Sequence, residues 1–304
     1  MSDRKLKYEV PDDCEYAVVR DIMKYKLCLS KREISHAKAF DDGIIVNGDK
    51  VTVRKDVRRG DVLEITLHEN IESASKIVPI NEPLDIIYED DDFICINKPA
   101  GLVIHPSHGH FLDSVCNRLA WHYNEKGEKH VMRAVGRLDR ETSGLILFGK
   151  NRAAAGILTK EGMDGTRSKE YLALCKGSFD NKKGEICSNI EDIPGVRMKR
   201  RTTDESSGEP SRTFYEVLEE FDGYCLVRLR LGSGRTHQIR VHMSSIGHPL
   251  LGDSLYGDEA CEKFGICRTA LHSSKITMIK PFSGEKCDFI APLPDDMREL
   301  VQLL

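Results

Sequence analysis

The sequence predicts an α+β protein: a strand-dominated mixed α/β body with a small α/β module at its N-terminus. Two observations carry this reading. Short apolar runs such as Phe93-Ile94-Cys95-Ile96 and Leu145-Ile146-Leu147-Phe148 recur between turn residues, while helical three- and four-residue spacing is confined to a few segments. Charge is also uneven. The chain carries a net −4, yet Arg20 to Arg59 holds eleven basic and six acidic residues, so this segment stands at +5 and the remainder near −9.

With 304 residues, 40% hydrophobic and 31% charged, the chain can bury one large core and a smaller one. No run approaches the ~18 consecutive apolar residues of a membrane span. The start, Met1 to Lys7, has charge but no apolar core behind it, so no signal peptide is expected and the expected location is the cytoplasm. Ten cysteines are scattered without a Cys-x-x-Cys pair. Several lie inside apolar runs, which reads as small buried hydrophobes rather than a disulfide framework or a zinc site.

The N-terminal module, 1–70, opens with an amphipathic pattern at Val18-Val19, Ile22-Met23 and Leu27. Ser30, with Glu33 three residues on, signals a capped second helix. Gly43 to Gly48 reads as a strand entering an Asn-Gly hairpin turn; Val51-Thr52-Val53 returns, and Val62 to Leu67 is a further strand. This order, with Leu29-Ser30-Lys31-Arg32 and Val46-Asn47-Gly48, resembles an S4 RNA-binding domain. A basic surface of that kind suits phosphate contacts, with Lys31 and Arg32 as candidates. Residues 71–82, with Pro79 and no clear periodicity, read as a linker to the body at 83–304.

In the body, Leu84 to Tyr88 and Phe93 to Asn97 form a hairpin leading into the tight Lys98-to-Pro106 loop. Phe111–Tyr123 and Asn151–Glu161 read as helices, and Ser168 to Gly177 as an alternating strand. Residues 178–212 are polar and read as a surface excursion with a basic knot at Arg197 to Arg201. Thr213 to Leu218 and Tyr224 to Arg230 are strands at hairpin spacing, and Ala270-Leu271-His272 and Asp288-Phe289-Ile290 are short closing strands. In Arg235-Thr236-His237-Gln238-Ile239-Arg240-Val241-His242, alternation along a strand would bury some side chains and expose others, as support for a pocket.

The candidate for chemistry is Gly136-Arg137-Leu138-Asp139-Arg140-Glu141-Thr142-Ser143-Gly144, a carboxylate between two arginines on a loop at the mouth of the Leu145–Phe148 strand. Taken alone, such an aspartate either accepts bonds from turn amides or presents a reactive group. His105, His108 and His110 have no acidic or Cys partner at ligand spacing, and His237 and His242 are five apart, so no metal is expected.

The remaining motifs decide between the two. Lys98-Pro99-Ala100-Gly101 with His105-Pro106, Arg137-Leu138-Asp139 with Thr142-Ser143-Gly144, Lys169 with Tyr171, the Arg235-to-His242 run, and Gly247-His248-Pro249 with Gly252-Asp253 occur in the order of the RluA-type pseudouridine synthases. The resemblance spans residues 84 to 294, and the S4-like start fits the same family. It implies a pseudouridine synthase catalytic fold, isomerisation of uridine in structured ribosomal or transfer RNA, a monomer, and no cofactor or metal. The target nucleotide is expected to flip into a pocket. By this resemblance Asp139 is the catalytic aspartate, either nucleophile at C1′ or base for the 2′ proton. Arg235 is the arginine paired with it, and Tyr171 the ring that stacks on the flipped base. Arg137 fills the space left in the RNA, and Lys169, His105, His237, Gln238 and Arg240 join in holding it. One position departs: Gly136 stands where RluA-type proteins commonly carry His, as in the RsuA-type branch, which leaves the target RNA open.

Two other classes compete. A non-catalytic RNA-binding protein on the same fold is disfavoured by the presence of Asp139, Tyr171 and Arg235 together. A methyltransferase or deaminase is disfavoured because neither a Gly-rich loop after a strand nor a His-x-Glu with Pro-Cys-x-x-Cys occurs.

Overall fold

A computed structural model describes residues 3–70, 77–196, 198–204, 207–257 and 265–304. The N-terminal unit is a four-stranded antiparallel sheet in the order β1 (Arg4–Glu9), β4 (Val62–Leu67), β2 (Ile44–Val46), β3 (Asp49–Lys50). Leu6, Ile22, Met23, Ile34, Ile44, Leu63 and Ile65 form its core. Helix α2 (Lys31–Ala37) starts on the expected capping box, with Glu33 N donating to Ser30 Oγ at 3.3 Å and Ser30 N to Glu33 Oε2 at 2.7 Å. The hairpin turn puts Asn47 and Gly48 at positive φ, 53° and 88°.

Two expectations for this unit are corrected. The first helix is one turn, α1 (Val19–Asp21), running into a π-helical Ile22–Lys26, where Leu27 N reaches back five residues to Ile22 O at 3.0 Å. Val51-Thr52-Val53 is not strand. The carbonyls of Val53 and Lys55 instead accept from Arg20 N and Val19 N, satisfying amides at the start of α1.

The body is built on an eleven-stranded sheet. Its strands are β5 (Asp85–Glu89), β6 (Phe93–Lys98), β7 (Arg133–Val135), β8 (Ser143–Gly149), β9 (Ser168–Lys176), β10 (Lys183–Asp192), β11 (Arg200–Thr203), β12 (Glu209–Phe221), β13 (Tyr224–Leu231), β14 (Leu271–Ile279) and β15 (Lys286–Ile290). The main order is β11-β10-β12-β13-β9-β14-β8-β6-β5, with β15 on β14 and β7 on β8. All pairings are antiparallel except β8 with β14, where Ser143 faces His272. On one face, α3 (Val115–Glu125) and α5 (Gln238–Ser245) pack on Ile146, Phe148, Tyr171 and Leu229. On the other, α4 (Arg152–Asp164) packs through Leu158 on Leu145, Leu147, Ile276 and Met278, and α6 (Asp295–Leu303) through Met297 and Leu300 on Leu174. Strand β8 is covered on both faces, hence its unbroken apolar run. None of the described helices is long and apolar enough to cross a membrane.

The sequence reading of 178–212 as an excursion is corrected: β10 and β11 extend the sheet there. With the outer face solvated, β10 needs apolar groups only at inward positions, and Ile186 and Ile190 supply them. Helix α3 begins four residues after Phe111, because Ser114 and Asn117 cap each other. Of the linker, residues 71–76 lie outside the described residues, while Val78 O and Ile80 N are bonded to Asn117.

The two sheets are joined by polar bonds. Arg4 grips Asp92 with two contacts of 2.8 and 3.0 Å, and within the body Asn151 Nδ2 holds the same carboxylate at 3.0 Å. Glu69 accepts from Arg133 at 2.5 Å and from Arg152 N at 2.6 Å. Ala153 enters the N-terminal core itself.

Two buried histidines make stability pH-dependent. His242 bonds Thr213 Oγ1 and Ser188 Oγ, and His272 lies between Ser143 Oγ and Ala291 O. Burial pushes both down to about 4 from an ordinary 6.5. Below about pH 6.5 the unfolded chain takes up protons that the folded state refuses, so stability is intact above that pH and falls towards pH 4, by at most about 3 kcal/mol per histidine. The urea midpoint is expected to fall between about pH 7 and pH 5, and to fall less in a His242→Asn, His272→Asn double variant. An equal fall in both proteins would contradict the assignment.

Candidate active site

Asp139 sits on the loop between β7 and β8, and the chain fixes that loop from below. Lys98, fully buried at the end of β6, donates to the carbonyls of Pro99 (2.8 Å), Leu102 (3.0 Å) and Arg140 (3.1 Å). Gly101 N also donates to Arg140 O at 2.8 Å. Burial, helped by Arg268 and opposed by Asp139, pushes the Lys98 ammonium down to about 7. Leu138 is sunk in the core and Thr142 N donates to Asp139 O at 3.1 Å, so only the Asp139 side chain, 17% exposed, looks outwards. Gly136 has a φ of 85°, a left-handed conformation that favours glycine.

Opposite the loop, α5 supplies the groups nearest the carboxylate. His237 Nε2 lies 3.8 Å and Arg240 Nη1 3.9 Å from Asp139 Oδ2. Residues three apart share one helix face, so His237 and Arg240 point the same way. The expected strand over 235–242 is thereby corrected: the run is a turn and a helix, with His237 at the N-cap in a left-handed conformation, φ 58°. Arg240 is held by a buried bidentate pair with Asp253, at 2.7 and 2.6 Å. His237 Nδ1 meets the Tyr256 hydroxyl at 3.0 Å, and burial, with Asp139 opposing, holds the imidazole pKa below its ordinary value.

The remaining predicted residues divide. Asp139, Tyr171, Arg235, Arg137, Lys169, His237, Gln238 and Arg240 line one cleft of about 670 Å³. Tyr171 is 5% exposed on β9; burial, then the charge of Asp139, raises its hydroxyl pKa, so it remains a protonated donor. Gln238 ties the turn together, bonding Arg212 O (2.8 Å), Thr213 Oγ1 (3.1 Å), Ser233 Oγ (2.8 Å) and Arg235 N (3.0 Å). Arg137 is exposed and touches Thr236 Oγ1 at 3.5 Å. Arg235 lies in the cleft with its guanidinium on Glu209 at 2.8 Å; among the described residues, the basic groups within 4 Å of Asp139 are His237 and Arg240. The pairing expected of Arg235 is thus made with Glu209, because Arg235 precedes the helix that aims Arg240 inwards. His105 does not line the cleft; its Nδ1 meets Cys116 Sγ at 3.0 Å. Lys31 and Arg32 are exposed on α2, also outside it.

Sequence reasoning did not single out Arg167, a cleft residue, or the Asp253–Tyr256 support behind α5. The Gly252-Asp253 signal was visible, but its partner at residue 240 was not.

Comparison with known proteins gives the class. The family model described as RNA pseudouridylate synthase matches residues 92–245. An uncharacterized RNA pseudouridine synthase of Bacillus subtilis, YjbO, is 37% identical over 91% of this chain and 96% of its own. Ribosomal large subunit pseudouridine synthase D of Pasteurella multocida is 38% identical over 85% of this chain and 82% of its own. Among solved structures, human RNA pseudouridylate synthase domain containing 1 superposes with a TM-score of 0.58 at 26% identity, covering 73% of this chain and 94% of that one. The chain belongs to the RNA pseudouridylate synthase family. Its reaction is the isomerisation of uridine in RNA to pseudouridine.

Removing one member of the buried pair strands the other charge. Asp253→Asn is expected to lower unfolding free energy by about 3–5 kcal/mol. Glu209→Gln, which frees only the exposed Arg235, should change it by less than about 1 kcal/mol. Denaturant titration of the two variants distinguishes these outcomes, and equal effects would contradict the hierarchy.

Proposed function

We propose that the substrate is a uridine in large-subunit ribosomal RNA and that Asp139 carries the chemistry. The observation behind the second part is a partly exposed carboxylate, aimed into a cleft with Tyr171 and flanked by His237 and Arg240. Support for the first part is that several relatives 36–38% identical are ribosomal large subunit synthases.

The target base leaves the RNA stack and lies on the Tyr171 ring, whose π face tolerates rotation of the uracil. Asp139 acts as a carboxylate, as nucleophile at C1′ or as base for the 2′ proton. The Arg240 guanidinium faces this carboxylate at 3.9 Å, on the side of the cleft opposite its loop. The Tyr171 hydroxyl, held protonated, serves as donor and not as base. Arg137, exposed at the mouth, takes the place of the flipped nucleotide, and Arg235, His237, Gln238 and His105 hold the RNA or the loops around it. The basic N-terminal unit, with Lys31 and Arg32 exposed on α2, acts as an S4-like RNA-binding domain that grips phosphates.

The purified protein is expected to convert uridine to pseudouridine in ribosomal RNA from cells lacking the gene, without added cofactor. Asp139→Asn should bind that RNA with near wild-type affinity and convert none of it. Mass spectrometry of RNA digests reads the outcome; appreciable turnover by the variant would remove Asp139 from the catalytic role.

A further inference from the structure

The cleft holds two basic side chains that take no part in the proposed chemistry: Lys169, expected only to join in holding the RNA, and Arg167. Arg167 precedes β9, Lys169 lies on it, and both line the cleft with Asp139 and Tyr171. The other basic groups behind the cleft are engaged: Arg240 with Asp253, Arg235 with Glu209, Lys98 with three carbonyls. Among the described residues, neither Arg167 nor Lys169 has an ion-pair partner within 4 Å; the Glu161 carboxylate neighbours Arg167, yet Arg167 Nη1 and Glu161 Oε2 are both buried without a hydrogen bond. A buried guanidinium N–H left unpaired is costly, so an anionic ligand that reaches Arg167 from the cleft gains a donor that Glu161 leaves unused.

The surroundings are cleared for both groups. At Gly162 a Cβ would collide with the Arg167 guanidinium, and at Gly136 it would sit 3.6 Å from Lys169 Nζ. A longer side chain at 136 would lie over that ammonium. Glycine at 162 thus makes room for the guanidinium itself, and glycine at 136 leaves the ammonium open towards the cleft. Burial and the neighbouring Arg167 push Lys169 down to about 7, although the residue keeps some contact with solvent; an arriving anion reverses that shift and restores the full charge.

We propose that Arg167 and Lys169 form an anion subsite for a backbone phosphate of the nucleotide whose base stacks on Tyr171. This rests on the cleft holding a uridine nucleotide, and it adds the group that positions that nucleotide from its phosphate side. Guanidinium and ammonium together supply directional and point-charge contacts to phosphate oxygens. Lys169 here is a positioning residue, with no part in bond making or breaking.

The test uses the full chain and two probes, uridine 5′-monophosphate and uridine, with binding read by calorimetry or NMR. Wild type is expected to bind the monophosphate at least about tenfold more tightly than the nucleoside. Lys169→Met should abolish most of that preference while leaving uridine binding in place, and Lys169→Arg should recover it. Arg167→Met should reduce the same ratio. A wild-type protein with no preference for the monophosphate, or a ratio unchanged in folded Lys169→Met, would overturn the proposal. Failure of RNA conversion by wild type would instead count against the parent reading, since the binding ratio is measured without turnover.

Discussion

The candidate active site depends on one buried ion pair, Arg240 with Asp253. A pair of charges withdrawn from water returns little net stability, because desolvation offsets the Coulomb gain. Its effect is positional. Asp253 also accepts from Leu255 N and Tyr256 N, so the carboxylate shapes the 250s turn while gripping α5. That turn needs Gly252, where a Cβ would collide with the Arg268 carbonyl. Tyr256, set by the same turn, meets His237. One carboxylate thus orients both groups that face Asp139.

The opposite wall follows another rule. The Arg140 carbonyl of the Asp139 loop meets the Lys98 ammonium together with the Pro99 and Leu102 carbonyls of the neighbouring loop, so one buried cation ties the two loops together. Leu138 on one side of Asp139 is core and Arg140 on the other is solvent-facing, which leaves the carboxylate little freedom to turn away. The cleft then contains a carboxylic side chain, an imidazole biased to neutrality by burial, a protonated phenol and a guanidinium fixed by its own partner. Each state follows from burial and neighbours.

Much of this was legible in the sequence. Asn47-Gly48, the Ser30/Glu33 box and the apolar run of β8 depend on local chemistry, and local chemistry is what a sequence displays. Asp139 and Tyr171 were legible because their motifs are compact and their strand context is strong. The helix at 238–245 was not. Its buried residues include Gln238, Arg240 and His242, whose polar ends are satisfied by the remote Asp253, Thr213 and Ser188, so no apolar stripe marks it. Strands β10 and β11 escaped for a related reason, since pairing with neighbours lets a half-solvated strand remain mostly polar. The partner of Arg235 turned on helix phase: a helical step brings residue 240, not 235, towards Asp139.

The N-terminal sheet is joined to the body by Arg4–Asp92 and Glu69–Arg133 contacts and by Ala153, so its exposed basic helix is held in a set relation to the cleft. The chemistry open to Asp139 depends on the geometry behind it. The most direct measurement is the single-turnover rate of pseudouridine formation by folded Arg240→Lys at saturating RNA. Lysine keeps the charge but loses the bidentate grip on Asp253. A rate lowered by about a hundredfold or more, with RNA affinity nearly unchanged, is the result predicted for a fixed cation at the carboxylate proposed to react. A rate close to wild type would contradict it.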